Sequence, residues 1–247
     1  MSQDQTLAGG DPGGYQAAEA ESGSHARRLN GLRAAVLGAN DGIVSTAGIV
    51  IGVAGATLDP FAILTAGIAG LTAGALSMAT GEYVSVSAQR DTEMALLEKE
   101  RRELAEMPEE ELAELAGLYQ AKGLTAELAA EVAVQLHAHD ALAAHAETEL
   151  GIDPDELTSP WVAAVSSAVS FTVGSVLPLV AIMAAPTELK IPVTVVAVVA
   201  ALILTGYLSA RAGGTPVLRA IARNVAGGLL AMGVTYWIGR LVGHTLG

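Results

Sequence analysis

Apolar residues run in long unbroken segments through most of the chain after about residue 34, and one polar stretch interrupts them. The apolar segments cover about Ala34 to Ala56, Phe61 to Ala88, Trp161 to Ala184, Ile191 to Ala210 and Ile221 to Leu241. Each is close to the length that crosses a hydrocarbon core of roughly 30 Å at about 1.5 Å per helical residue. The polar stretch, from Gln89 to Thr158, shows no comparable run. This pattern predicts an all-α protein: five transmembrane helices, with a three-helix acidic cytosolic domain inserted between spans two and three. Spans one and two belong to residues 25–88, the insert to residues 89–158 and spans three to five to residues 159–247. Residues 1–24, rich in Gly, Gln, Ser, Asp and Glu, hold too few large apolar side chains to fold and read as a disordered tail.

The second apolar segment passes without a helix breaker into QRDTEMALLEKERRELAEMPEEELAEL, so one helix should leave the membrane and continue to about Glu106. Pro108 suits the first turn of the next helix, where its missing N–H is not needed, and Gly123 ends that helix. Thr125 can cap the third, which should run to Leu150 before Gly151.

Composition supports a membrane protein: 51% of residues are hydrophobic and only 16% charged. The net charge of -13 is concentrated. Between Gln89 and Glu156 there are 18 acidic against 5 basic residues, a local balance of -13. Such a surface repels nucleic acid and favours cations. With no cysteine in the chain, disulfides, thiolate metal sites and cysteine nucleophiles are excluded. Arg27, Arg28, Arg33, Arg90, Arg101, Arg102, Arg211, Arg219 and Arg223 all fall on one side of a five-span chain; the opposite loops carry only Lys190, and Arg240 lies at the far end of span five. The positive-inside rule then places the N-terminus and the insert in the cytoplasm.

Several side chains carry chemistry. Asp41, in the run GANDGIVSTAG of span one, is an ionisable group at membrane depth and reads as functional; the plainer reading is a capping or snorkelling carboxylate near the span's end. Met78 and Glu82 in span two are four apart on one helix face, and a thioether with carboxylates suits Fe(II) or another first-row divalent metal. A lone Met in an apolar helix also serves as core filler. Glycines spaced by four (Gly38 and Gly42, Gly48 and Gly52, Gly70 and Gly74) allow close helix approach and are a weak sign of dimerisation. In the insert, Glu100 with Glu103 and Glu111 with Glu114 form two E-x-x-E pairs, and the third helix adds His137, His139, Asp140, His145, Glu147 and Glu149. Two such helices side by side could build an oxygen-rich cation site. Charge runs of this kind also arise as solvated helix faces.

Taken together, the five spans, the Asp41-Gly42 pair, the run AGALSM ending at Met78, the acidic insert and its closing residues Glu149 to Ile152 resemble the vacuolar iron transporter family, which includes nodulin-21-like proteins. The resemblance extends from about His25 to the C-terminus. It implies a homodimer in a lipid bilayer that exchanges cytosolic Fe2+, and often Mn2+, for protons, without a prosthetic group. It also implies that Asp41 and Met78 line the pathway and that Glu100, Glu103, Glu111, Glu114 and Glu149 bind metal. Two departures stand out. Plant-type members carry a glutamate where this chain has Gly70, a gap that Glu82 could fill, and a methionine pair where it has His145 and Ala146.

An imidazole at His145 adds a ligand sensitive to pH near neutrality. The short loops and Ala/Gly-rich spans suggest a prokaryotic cell membrane. A rival reading is a membrane-anchored metal sensor or buffer, which has no need of a carboxylate at membrane depth. A ferritin-like oxidase ranks last, because such sites use E-x-x-H pairs and the insert has none.

Overall fold

The computed structural model describes residues 35–155 and 157–246; the predicted tail and Arg27, Arg28 and Arg33 lie outside them. Among the described residues all regular structure is helical, with no strand. In chain order the helices are α1 (Ala35–Ala56), α2 (Pro60–Glu106), α3 (Pro108–Ala121), α4 (Ala126–His145), α5 (Pro160–Ala184), α6 (Lys190–Gly213) and α7 (Val217–Leu246). Of these, α1, α2, α5, α6 and α7 are long and apolar enough to cross a membrane, as the apolar segments predict. Their ends overrun the predicted ones where no breaker intervenes: α6 stops only at Gly214, whose φ of 61° is open to glycine.

The chain divides into two compact units, one holding Thr80–Ala164 and the other, which carries the spans, the described residues before 80 and after 164. The span-bearing unit is built on α1. Its Ile43, Ala47, Val50, Ile51 and Ala54 are buried together with Ile182, Val198, Leu202 and Met232. Close approach depends on the glycines: a Cβ at Gly42 would strike the Phe171 carbonyl oxygen of α5, and one at Gly239 of α7 would strike that of Gly52. The spaced glycines of α1 thus serve packing within the chain, against α5 and α7. Ser175 of α5 adds a buried hydrogen bond from its hydroxyl to the Gly42 carbonyl (3.2 Å). Between α5 and α6, the buried Lys190 Nζ donates to the Ile182 carbonyl (2.9 Å), supplying a donor to the last turn of α5.

In the unit Thr80–Ala164, α3 begins at Pro108, and Thr125 caps α4 by accepting from the Leu128 N–H (3.3 Å). Leu115 and Ala116 of α3 pack on Ala133 of α4. The third helix differs from the unbroken one predicted. It is interrupted at Asp140, which is extended (φ -156°, ψ 99°) and whose side chain accepts from the Ala143 N–H (2.9 Å). An Asp side chain inside a helix competes with the backbone for such donors and can restart the helix as its own cap. A π-helical turn, Ala146–Leu150, then closes the element before Gly151 at φ 65°.

Candidate functional site

Three elements of the unit Thr80–Ala164 converge on one buried cluster. On α2, Leu97 and Glu100 lie three apart on one face and both are buried. On α3, Glu111 and Leu115 lie four apart and are likewise buried, so the apolar leucine drags its carboxylate neighbour inward. His145 sits at the end of α4, where the π turn is tied back to α3 by Tyr119 Oη and Thr148 Oγ1 at 3.2 Å. The ligand atoms of Glu100, Glu111 and His145 all lie within 4.8 Å of one another.

His145 Nδ1 is 3.0 Å from Glu100 Oε1, 3.6 Å from Glu111 Oε2 and 4.0 Å from Glu149 Oε2. The shortest of these distances would suit a hydrogen bond, yet the angles do not: Glu100 Oε1 and both His145 nitrogens are buried with no hydrogen-bond partner among the described residues. Buried polar atoms in this condition are costly unless something pairs them.

The electrostatics point the same way. Burial first, then the charges of Glu149 and Glu111, push the Glu100 carboxyl up to about 7. Burial and the nearby Glu114 raise Glu111 and Glu149 as well. Burial and the neighbouring His137 lower His145. Excess carboxylates and a neutral imidazole, gathered out of water, form a donor set that a divalent cation would satisfy.

The E-x-x-E pairs are therefore split. Glu100 and Glu111 are in the cluster; Glu103 is engaged by Lys99 Nζ at 2.6 Å, and Glu114 is exposed, though both contribute charge. Glu149 stands at the rim, its side chain 28% exposed. Glu82 joins neither this cluster nor the cavity below; it neighbours Tyr83, whose ring lies 4.8 Å from that of Trp161, an aromatic pairing typical of membrane–water interfaces.

In the span-bearing unit, Asp41 and Met78 line one cavity of about 480 Å³ together with Asn40, Arg223 and Asn224. Ser45 Oγ lies 3.4 Å from Asp41 Oδ1. Asn40 Oδ1 accepts from Thr205 Oγ1 (3.1 Å) and from Asn224 Nδ2 (3.2 Å), tying α1 to α6 and α7. The space beside Gly70 is taken by the end of the Ile49 side chain. Sequence reasoning missed Asn40 and Asn224 as cavity residues; both are polar side chains inside apolar spans, a signal weaker than the ionisable Asp41 because a neutral amide costs less to bury. Arg223 entered it only as an orientation charge.

Among known proteins, the model of the VIT family matches residues 32–240. A vacuolar iron transporter of Acanthamoeba castellanii is 44% identical over 211 residues, covering 85% of this chain and 78% of its own. Vacuolar iron transporter homolog 5 of Oryza sativa is 38% identical over 217 residues (87% and 82%). Vacuolar iron transporter homolog 2 of Arabidopsis thaliana is 34% identical over 226 residues, 91% of each chain.

Proposed function

The chain belongs to the VIT family, and on that footing we propose that it transports divalent transition metal, Fe2+ and also Mn2+, out of the cytosol in exchange for protons, as a homodimer. The observation that carries this reading is that Asp41 and Met78, from separate spans, line one cavity. A carboxylate within a span can hold either a cation or a proton, so protonation of Asp41 from the far side releases the metal and couples the two fluxes. The thioether of Met78 favours Fe(II) over Mg2+ or Ca2+.

Glu100, Glu111 and His145, with Glu149 at the rim, collect the ion on the cytosolic side, and the remaining acidic residues of the insert raise its local concentration. Of the five spans, α2 is the least buried within the chain, which supports a second copy packing on it. The orientation follows the arginine distribution, with the insert in the cytoplasm, and the short loops and Ala/Gly-rich spans favour a prokaryotic cell membrane. A second reading, a membrane-anchored metal buffer, is favoured by one observation: the cluster is complete within residues of the unit Thr80–Ala164.

Proteoliposomes loaded with a pH dye separate the two. Transport predicts Fe2+ or Mn2+ flux with opposed proton flux, both lost in Asp41→Ala. Metal binding without flux in the wild type would leave the buffer.

A further inference from the structure

His137 stands outside the group of Glu100, Glu111 and His145. It is half-buried on α4, and its Nδ1 is buried without a hydrogen-bond partner among the described residues. Its ring centre lies 6.0 Å from that of His145, with the planes inclined by 76°. Residues eight apart on an unbroken helix are separated by about 12 Å along its axis. The interruption at Asp140 falls between the two histidines and accompanies a much shorter approach of their rings. His139, on the same segment, is exposed.

Two imidazoles on one cation, with metal–nitrogen distances of about 2.0–2.1 Å, hold their ring centres within roughly 6.5 Å of each other. The observed pair is already inside that span. We infer that His137 is a second imidazole ligand, joining His145 on a cation held by Glu100 and Glu111. The break in α4 is the device that delivers it. The inference rests on the cluster being a metal site and adds its selectivity: two nitrogen donors beside two carboxylates suit Fe2+, Co2+ or Zn2+ and give Mn2+, Mg2+ and Ca2+ less.

The test uses the purified full-length protein loaded with one equivalent of Co2+. Each coordinated imidazole gives a hyperfine-shifted, exchangeable N–H proton resonance. The wild type should show two such resonances. His137→Gln and His137→Asn should each show one, and Co2+ affinity should fall on the order of 10- to 100-fold with a smaller loss for Mn2+. His139→Gln should keep both resonances and the wild-type affinity.

Two resonances that survive both His137 variants would overturn the inference. So would a single wild-type resonance lost only in His145→Gln, with metal binding still intact. Failure of the wild type to bind Co2+ at all would instead overturn the metal site itself, and the inference with it. Circular dichroism of each variant separates a lost ligand from a lost fold.

Discussion

His145 Nδ1 faces Glu100 Oε1 at 3.0 Å, both side chains nearly fully buried, and neither atom makes a hydrogen bond among the described residues. The folded chain therefore holds two lone-pair donors against each other without a proton aligned between them. That arrangement costs stability when empty and favours any cation that bridges it.

The first prediction concerns pH. Glu100 gives up its proton near 4.5 in the unfolded chain and near 7 in the folded one, because of burial and the Glu149 and Glu111 charges. Across that window the folded state binds more protons. The stability that Glu100 contributes is thus fully present below about 4.5 and is lost as pH rises to about 7. His145, lowered from 6.5, acts in the opposite sense, its contribution falling away below that value. Thermal melts of metal-free protein between about pH 5 and about pH 7.5 should show a steeper loss in the wild type than in Glu100→Gln. Equal slopes would place the proton elsewhere. Metal affinity should rise through the same range, since the cation displaces that proton.

The second prediction separates the members of one E-x-x-E pair. Glu100 points into the cluster and Glu103 is held by Lys99. Glu100→Gln should weaken binding on the order of 100-fold, whereas Glu103→Gln, which removes a neighbouring charge and a surface pair, should stay within about tenfold. Competition titrations of Fe2+ under anaerobic conditions measure both. Equal losses would mean that Glu103 leaves Lys99 to ligate the ion.

These two residues also mark how far the sequence could be read. Five spans were legible because an apolar run long enough to cross a bilayer has few other uses, and α3 and α4 begin at Pro108 and Thr125 because caps are local chemistry. Which glutamate of a pair turns inward was not legible, since it depends on the helix rotation set by Leu97 and Leu115 in three dimensions. Nor was the interruption at Asp140: the residues around it favour helix, and only the folded unit shows the Asp side chain taking the Ala143 N–H. The glycines of α1 were legible as close-approach sites, but their partners on α5 and α7 lie more than a hundred residues away.

The third prediction concerns the polar crossing of three spans. Asn40 Oδ1 receives both Thr205 and Asn224, so Asn40→Ala should destabilise the span-bearing unit by about 1–2 kcal/mol. A double-mutant cycle with Asn224→Ala in detergent unfolding should give a coupling of roughly 0.6 kcal/mol or more. Strict additivity would mean the two amides do not support each other.

The last prediction contrasts two glycines. At Gly42 an added Cβ would meet the Phe171 carbonyl oxygen, a backbone atom that cannot rotate aside, and the Ser175 hydroxyl that bonds the Gly42 carbonyl. Gly42→Ala should therefore push α1 away from α5 at a cost of about 1–3 kcal/mol. At Gly117 of α3 an added Cβ has nothing within 4 Å, so Gly117→Ala should raise stability by about 0.5–1 kcal/mol through backbone entropy alone. Because Asp41 precedes Gly42, the displacement of α1 also moves the carboxylate within its cavity. Gly42→Ala should lower metal flux in proteoliposomes even at temperatures where the protein is fully folded, and Gly117→Ala should leave flux unchanged. Full flux in folded Gly42→Ala would show that the cavity tolerates a shift of α1, and that the carboxylate's placement is not set by this helix contact.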